Sequence, residues 1–416
     1  MRRILVVLPL YGGSLPIGRY CAEALKELGC LVEVFEAPAF YGAFSALQDL
    51  QVETAQLEFL ENSFLQVVTH AICAKAESFQ ADLVLCMAQA PLSRQGLKRL
   101  KKAEISTAMW FVEDYQLFPY WRAFAPHYDI FAVIQKTPFL QELDAIGVKN
   151  ALYLPLAALP SLHKATPLSP EELEEYGADI SFLGAGYPNR RRAFKKLMRP
   201  GFKIWGNEWE GEPELEPFVQ RDGARISSED AVKIYNGTTI NLNLHSSVLP
   251  EVFVGNGDFV NPRTFELAAS RVFQLVDERG LMGELFEPDE LVRFTSLEEL
   301  QEKITYFLDH PKEREASIER AYARVIKEHQ YTHRMQTLLD FIADRVPQFG
   351  KRTPPLALTV LPDAYQENFL RLLESEGLPL TASFEDVVTV IAQKQQPLTE
   401  FETAVLFLWE WKEQYG

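Results

Sequence analysis

Asp258, Arg263 and Glu266 lie within one short segment of the sequence, from Gly257 to Ala269. Pro262 precedes a run of small and apolar residues, which predicts a helix whose first turn contains the arginine and the glutamate three residues apart. This pair could be a simple intrahelical ion pair, worth about 0.2–0.5 kcal/mol. Alternatively, the glutamate could accept two hydrogen bonds from a ribose diol while the arginine faces a phosphate. We favour the second interpretation.

A cluster of positive charge follows the glycine loop Gly184-Ala185-Gly186. The segment 180–207 contains no carboxylate and seven cations: Arg190, Arg191, Arg192, Lys195, Lys196, Arg199 and Lys203. A glycine loop between a strand and the N-terminus of an arginine-bearing helix can bind a diphosphate through backbone N–H groups and positive charge. The alternative is a solvated basic helix face. We expect Arg191 and Arg190 to face a ligand.

Polar residues also follow two other predicted strands. Asn243 and His245 lie at the end of the strand 240–244, where we expect them to face a ligand, although a core role fits His245 equally well. Glu113 and Asp114 follow the strand 107–111, at the edge where α/β proteins bind ligands. Either carboxylate could act as a general base. The alternative for this pair is a solvated turn or a helix cap.

The elements that would hold these residues alternate along the chain. Apolar runs that predict buried parallel strands occur at 4–8, 31–35, 83–86, 107–111, 130–134 and 151–154, and again at 180–183, 202–205, 240–244, 272–276 and 292–294. Helix-period stretches separate them, which is the pattern of doubly wound α/β domains. A proline-rich connection near residue 160 divides the two series. We therefore predict two Rossmann-like domains, 1–160 and 161–346, facing a cleft.

The end of the chain, 347–416, has a different pattern. Pro347, Pro354 and Pro355 predict a loop, and three helices follow, near 365–374, 384–393 and 400–411. This helical appendage could pack on the rest of the chain or bind a protein partner. Trp409 and Trp411 are expected in its core.

Composition excludes several classes of protein. The 416 residues include 58 acidic and 41 basic ones, and the net charge of −17 repels nucleic acid and anionic membranes at long range, so any anionic ligand needs a local positive site. Apolar stretches such as 4–10 are about half of the roughly 20 residues that a transmembrane segment needs. The four cysteines, at 21, 30, 73 and 86, have no metal-binding spacing. They fit a reducing cytoplasm.

Five segments follow one another in the second half: ADISFLGAGYPNRRR, TINLNLHSS, VNPRTFELAASRVFQLVD, GELFEPDELVRFTSLEELQEKITYFLDHP and EHQYTHR. In this order and spacing they resemble the CgeB-like (spore maturation protein CgeB-type) glycosyltransferases, a bacterial group. MWFVEDYQLF and YDIFAVIQ extend the resemblance into the first half. It covers roughly 1–342 and omits the helical tail.

The resemblance implies a GT-B fold whose C-terminal half is similar to glycosyltransferase family 4. That family has two acidic residues separated by seven others, and the second binds the ribose of the donor. Glu266 matches the second position, and Asp258 the first, which contacts the donor sugar. Asp258 is shorter than the usual glutamate, and Ala269-Ser270-Arg271 replaces the usual glycine turn.

The sequence therefore predicts a cytoplasmic, hexosyltransferase-like enzyme that uses a nucleotide-sugar donor and an unidentified acceptor. Gly184, Gly186, Arg191 and Arg263 would surround the diphosphate, and Glu266 would bind the ribose. No metal or other cofactor is expected, because cations and helix N-termini neutralise the leaving diphosphate in such enzymes. Two alternatives are a nucleotide-sugar epimerase on the same fold and a non-catalytic scaffold that displays its C-terminal helices.

Overall fold

Parallel strands form two separate sheets in the computed structural model, which describes residues 2–249, 251–254, 257–347, 349–350, 363–378, 382 and 384–415. The chain divides into two compact units. Unit 1 comprises 1–111, 120–131 and 339–416, and unit 2 comprises 112–119 and 132–338. The three-domain division at residues 160 and 346 stays a prediction.

The first sheet has six strands in the order β2-β1-β3-β4-β5-β6. Its strands are β1 (Arg3–Val7), β2 (Leu31–Phe35), β3 (Leu83–Met87), β4 (Ser106–Phe111), β5 (Ile130–Val133) and β6 (Ala151–Tyr153). β1 pairs in parallel with β2 and β3, and β3 pairs in parallel with β4. Every residue of β1, β3 and β4 is buried, as expected for parallel strands covered on both faces.

Six helices accompany this sheet. They are α1 (Ser14–Glu27), α2 (Tyr41–Gln48), α3 (Thr54–Ser78), α4 (Arg94–Lys102), α5 (Trp121–Phe124) and α6 (Phe139–Ala145). The side chain of Ser93 caps α4 by accepting a hydrogen bond from the Gly96 N–H at 3.2 Å.

The second sheet has five strands in the order β11-β10-β9-β7-β8, and every adjacent pair is parallel. The strands are β7 (Ala178–Leu183), β8 (Phe202–Trp205), β9 (Thr238–Asn243), β10 (Gln274–Asp277) and β11 (Val292–Phe294). Its helices are α7 (Pro170–Tyr176), α8 (Pro188–Phe194), α9 (Ser228–Gly237), α10 (Pro262–Ala269), α11 (Met282–Leu285), α12 (Leu297–Asp309), α13 (Pro311–Glu328) and α14 (Tyr331–Arg345). Buried residues from β7, α8, β9 and β10 share one apolar core, which includes Phe182, Phe194 and Leu275.

Three further helices, α15 (Asp363–Ser375), α16 (Phe384–Ala392) and α17 (Glu400–Tyr415), have an apolar core of their own. They belong to unit 1, in which Arg3 of β1 forms an ion pair with Asp386 at 3.3 Å and donates a hydrogen bond to Thr389 at 3.0 Å. The appendage therefore packs on the first sheet. Trp409 contacts its core, but Trp411 is 58% exposed, so the prediction of a core position for Trp411 is wrong. The predicted loop prolines Pro354 and Pro355 lie outside the described residues.

Among the described helices, none combines the length and the apolar character that a bilayer crossing requires.

Candidate functional site

The N-terminus of α10 lies beside the carboxyl end of β9, where Asn261 donates a hydrogen bond to Asn243 Oδ1 at 2.8 Å. Asn261 caps this helix, because its side-chain oxygen accepts a hydrogen bond from the N–H of Thr264 at 3.1 Å. Pro262 then occupies the first helical position, which needs no hydrogen-bond donor. The cap and the proline fix where the helix begins, and so fix Arg263 and Glu266 in its first turns.

Glu266 forms the centre of a buried polar cluster. Its side chain is only 10% exposed, and its Oε2 accepts a hydrogen bond from Tyr235 Oη at 3.0 Å. Arg263 Nη1 lies 3.3 Å from the same oxygen, and the guanidinium packs over the Tyr235 ring at 4.9 Å. The predicted pair of Arg263 and Glu266 therefore exists, with an aromatic residue from α9 as an additional partner.

The other carboxylate oxygen, Glu266 Oε1, faces His163. Nε2 of His163 lies 3.9 Å from that oxygen, and its Nδ1 accepts a hydrogen bond from the Leu159 N–H at 3.1 Å. In a neutral ring the proton must then be on Nε2, directed at the carboxylate. Burial lowers the pKa of His163, with Glu266 acting in the opposite direction, which favours this neutral form.

Arg190 connects the carboxyl ends of β7 and β9. Its Nε and Nη2 donate to the Leu244 carbonyl at 3.0 and 2.7 Å, and its Nη1 donates to the Ala185 carbonyl at 3.0 Å. Burial lowers its pKa to about 10, and Arg263 acts in the same direction. Arg263 therefore lies close enough to Arg190 for the two positive charges to act on one another.

Arg191 has a different environment. Its guanidinium donates to the carbonyl oxygens of Gly186 at 2.5 Å and Glu210 at 2.8 Å, and also to the carbonyl of Glu208. The side chain lines an open depression of about 660 Å³ together with Arg192 and other residues of the 186–212 segment. Arg191 therefore supports the loop after β8 and has no described contact with Arg263 or Glu266.

The glycine loop forms backbone hydrogen bonds with the end of β8 and the loop that follows it. The N–H of Gly184 donates to the Trp205 carbonyl, and the N–H of Gly186 donates to the Asn207 carbonyl, both at 2.9 Å. A Cβ on Gly186 would lie 2.0 Å from the carbonyl oxygen of Glu208, so close packing of the two loops requires glycine there. The expectation that these two N–H groups bind a diphosphate differs from the structure, because both already have backbone partners.

Asn243 and His245 are buried and tie strands to the cap of α10. The Asn243 side chain donates to Thr264 at 2.9 Å and to Gln274 at 3.0 Å, and it accepts from Asn261 at 2.8 Å. Its polar atoms are directed at protein groups, in contrast to the predicted open position.

His245 likewise uses both ring nitrogens. Nδ1 lies 2.6 Å from Asp277 Oδ1, and Nε2 accepts a hydrogen bond from the Asn261 N–H at 2.8 Å. The proton is therefore on Nδ1, which donates to the aspartate. Burial lowers the pKa of His245, and Asp277 opposes this effect. His245 is 2% exposed and links β9, β10 and the loop before α10, which fits the core role, one of the two roles that the sequence left open.

Asp258 also has both carboxylate oxygens occupied. Oδ1 accepts from Gln135 Nε2 at 3.0 Å, and Oδ2 accepts from the Lys136 N–H at 2.9 Å. Gln135 Oε1 in turn accepts from the Tyr115 N–H at 3.0 Å. Gln135, which sequence reasoning missed, therefore connects Asp258 with the segment that carries Glu113 and Asp114.

The two candidate bases are half-buried. Asp114 Oδ1 accepts from the Gln116 N–H at 2.8 Å, the hydrogen bond of an aspartate turn. Glu113 contributes to the raised pKa of Tyr187, which burial causes in the main. The structure thus places Glu113 near the loop after β7, and Asp114 in a turn.

Arg279, two residues beyond β10, was not predicted from the sequence. It is 4% exposed, donates to the Phe259 carbonyl at 3.2 Å, and lies 4.0 Å from Asp277. Burial lowers its pKa, while Asp277, Asp114 and Asp258 act in the opposite direction. Carboxylates from three separate segments of the chain therefore act on one buried cation, and their distance in sequence gives no sign of this.

No group of three or more metal-ligating side chains was found among the described residues. His329 and His333 lie at the junction of α13 and α14. Nε2 of His329 donates to the Leu285 carbonyl at 2.8 Å, and Nδ1 accepts from Arg334 at 2.7 Å. Both nitrogens of His329 thus contact protein groups.

Comparison with known proteins shows the class to which this fold belongs. A family model described as glycosyl transferase-like matches residues 190–340, the stretch that contains Arg190, Arg263 and Glu266. A search of curated protein sequences finds no match.

Solved structures resemble the chain over most of its length. Sucrose-phosphate synthase from Thermosynechococcus elongatus has a TM-score of 0.56 at 11% identity, over 83% of this chain and 99% of that one. HepE from Anabaena, in complex with UDP and glucose, has a TM-score of 0.57 at 10% identity, over 83% and 100%. A glycosyltransferase from Rickettsia africae has a TM-score of 0.56 at 13% identity, over 82% and 98%. The chain has the GT-B fold, which confirms the predicted fold class.

Proposed function

We propose that the protein is a glycosyltransferase that moves a hexose from a nucleotide-sugar donor to an acceptor hydroxyl. The observation that carries the proposal is the arrangement of Arg190, Arg263 and Glu266 at the carboxyl end of a parallel sheet, within the stretch that matches a glycosyl transferase-like family model. Ligands of open α/β sheets bind at this edge.

Glu266 is the residue that we assign to the ribose. Tyr235 and Arg263 contact its Oε2, so we assign the ribose hydroxyls to Oε1, from which His163 Nε2 stays 3.9 Å away, beyond hydrogen-bond distance. Because the carboxylate is held from two sides, the ribose hydroxyls would meet an oriented acceptor. Little side-chain freedom then has to be lost on binding.

Arg190 and Arg263 are the cations that we assign to the diphosphate. Two neighbouring guanidinium groups would neutralise charge that develops on the leaving diphosphate, as a metal ion does in other enzymes. We therefore propose that transfer needs no metal. Both guanidinium groups donate to backbone carbonyl oxygens, but only Arg190 lies close enough to Arg263 for that charge to act on its pKa, so Arg190 replaces Arg191 in this assignment.

The ligands named for the structural neighbours guide the choice of donor base and sugar to test first. The HepE structures contain UDP, UDP and glucose, or UDP-glucose. We propose a uridine diphosphate sugar as the first donor to test. Asp258 stays our candidate for the sugar contact, and Glu113 and Asp114 stay our candidates for the base that accepts the acceptor proton.

The acceptor is a protein, a polysaccharide or a small molecule. We keep CgeB-type specificity, the similarity to family 4 and a cytoplasmic location as parts of the proposal. The four free cysteines support the location, since Cys21, Cys73 and Cys86 are buried thiols without disulfide partners.

The first test is donor turnover by the full chain, with EDTA present and no added acceptor. UDP-glucose, UDP-galactose and UDP-N-acetylglucosamine are incubated with the protein, and the products are identified by mass spectrometry. We expect slow release of UDP from one donor. Conversion of the donor into its epimer without release of UDP would support the epimerase.

The matched variants are Glu266→Ala and Glu302→Ala, the second altering an exposed glutamate of α12. We expect the first to abolish UDP release and the second to leave it unchanged. Equal activity of the two variants would contradict the ribose assignment. Absence of turnover and of nucleotide binding in the wild type would favour the scaffold alternative.

A further inference from the structure

Helix α4 presents a row of cations on one side. Arg94, Lys98, Lys101 and Lys102 are all exposed, and their spacings of four and three residues place them on neighbouring positions of one helix face. The opposite side of the helix buries Gly96, Leu97 and Leu100. α4 is thus anchored through its apolar side and exposes its cationic one. We refer to the four exposed cations as the α4 face.

The α4 face lacks neutralising partners in the part of the chain that the structure describes. Arg99 lies in the same helix, but it forms a two-pronged ion pair with Glu77, at 2.7 and 2.5 Å. Among the described residues, no carboxylate lies within 4 Å of the four cations of the face. In a chain with a net charge of −17, this helix is a local region of opposite sign.

Helix stability does not explain all of these cations. Lys101 and Lys102 lie in the last turn, where positive charge interacts favourably with the helix dipole. Arg94 lies in the first turn, where the dipole disfavours a cation, and its spacing to Lys98 is a repulsive one for like charges. The pKa of His127 is lowered by burial and then by the positive charges of Arg94 and Lys98.

We propose that the α4 face docks the protein on the anionic surface of a phospholipid bilayer. Its charge is complementary to phosphate headgroups, and contact with a plane can stay confined to the helix face. Acidic residues farther away than about 8–10 Å are screened at physiological salt. The face carries no aromatic or aliphatic side chain, so binding is electrostatic, reversible and sensitive to salt.

Nucleic acid fits the face less well. Phosphate-driven binding of a duplex commonly uses about 6–10 contacts, more than this short helix offers. Sequence-independent binding of single strands uses aromatic side chains as stacking platforms, and the face has none. A nucleic acid longer than the helix would also contact the rest of the protein, whose negative charge repels phosphate.

The test is flotation of the full chain with vesicles of pure phosphatidylcholine, or of phosphatidylcholine mixed equally with phosphatidylglycerol. We expect binding to the anionic vesicles alone and loss of that binding at high salt. Lys98→Gln should lower the partition coefficient about fivefold. The quadruple variant R94Q/K98Q/K101Q/K102Q should bind no better than the wild type binds phosphatidylcholine.

A quadruple variant at exposed lysines elsewhere, K149Q/K164Q/K312Q/K327Q, is the matched control because it loses the same four charges. It should retain binding. The proposal is overturned if the wild type does not prefer anionic vesicles, or if the two quadruple variants bind equally. Binding of a labelled oligonucleotide by the wild type without vesicle binding would favour nucleic acid instead. Titration of the same variants with UDP shows whether the substitutions also disturb the proposed donor site. Failure of the membrane proposal can therefore be told apart from failure of the enzymatic proposal.

Discussion

Tyr235 Oη donates a 3.0 Å hydrogen bond to Glu266 Oε2, from α9 to the first turns of α10. The bond joins two residues 31 positions apart and holds the carboxylate that we assign to the donor ribose. Tyr235 therefore acts on the ligand through Glu266, as a positioning residue.

Tyr235→Phe tests this relationship. Because Arg263 still contacts Glu266, we expect the variant to fold and to bind UDP about three- to tenfold more weakly, the range for one lost hydrogen bond. Isothermal titration gives the affinity. Tyr365→Phe alters an exposed tyrosine of α15 and is the control. Unchanged affinity in Tyr235→Phe would mean that the tyrosine does not position the ribose ligand.

Arg190 and Arg191 are adjacent arginines with different expected roles, so the affinities of their lysine variants for UDP can be compared directly. Arg190→Lys keeps the charge but loses the planar fork that a diphosphate requires, so we expect UDP affinity to fall at least about tenfold while uridine affinity is kept. Arg191→Lys should change neither affinity, because the Arg191 guanidinium contacts the loop after β8 and has no described contact with Arg263 or Glu266. If Arg191→Lys is the more damaging of the two for UDP, the assignment of the phosphate site is wrong.

Asp258 is testable through stability as well as activity. Its oxygens accept from Gln135 Nε2 and the Lys136 N–H, so Asp258→Asn places an amide group against a donor. We expect the free energy of unfolding to fall by about 1–3 kcal/mol, the cost of leaving a part-buried polar group without a hydrogen-bond partner. Urea unfolding measures this, with Asp309→Asn, at the exposed end of α12, as the control. Unchanged stability with lost turnover would indicate a direct role in catalysis alone.

The lowered pKa of His329 should make the free energy of unfolding depend on pH. Burial, and then Arg334, lower the pKa of this histidine to about 4, whereas an unfolded histidine titrates near about 6.5. Between these values the unfolded chain takes up a proton that the folded chain does not bind. Stability is therefore full above about pH 6.5 and falls by about 1.4 kcal/mol per unit as pH decreases toward 4.

The measurement is urea unfolding at pH 7 and pH 5 for the wild type and His329→Gln. We expect the wild type to lose about 2 kcal/mol more than the variant between these pH values. The difference isolates His329 from His163 and His245, whose pKa values are also lowered. Parallel pH dependence in the two proteins would contradict the pKa of His329.

The sheets could be predicted because their strands are continuous apolar runs. The predicted strands 31–35, 202–205 and 292–294 coincide with β2, β8 and β11. The pair of Arg263 and Glu266 could be predicted for a similar reason, since helical spacing is local and Pro262 marks where the helix begins.

Contacts between distant segments of the chain could not be predicted from the sequence. His163 and Tyr235 reach Glu266 from distant segments, and no local pattern indicates them. The same holds for the glycine loop: Gly184 and Gly186 look like a phosphate loop, but the loop after β8 takes their N–H groups. The direction of Arg190 and Arg191 likewise depends on which carbonyl oxygens lie nearby.

The most direct test of the account is isothermal titration of the full chain with UDP, GDP and ADP in the presence of EDTA. We predict that one of the three binds wild-type protein without metal, that Glu266→Ala abolishes this binding, and that Glu302→Ala retains it. Failure of all three nucleotides to bind, or equal binding by Glu266→Ala and wild type, would contradict the central claim that this carboxylate and its arginine neighbours hold a nucleotide-sugar donor.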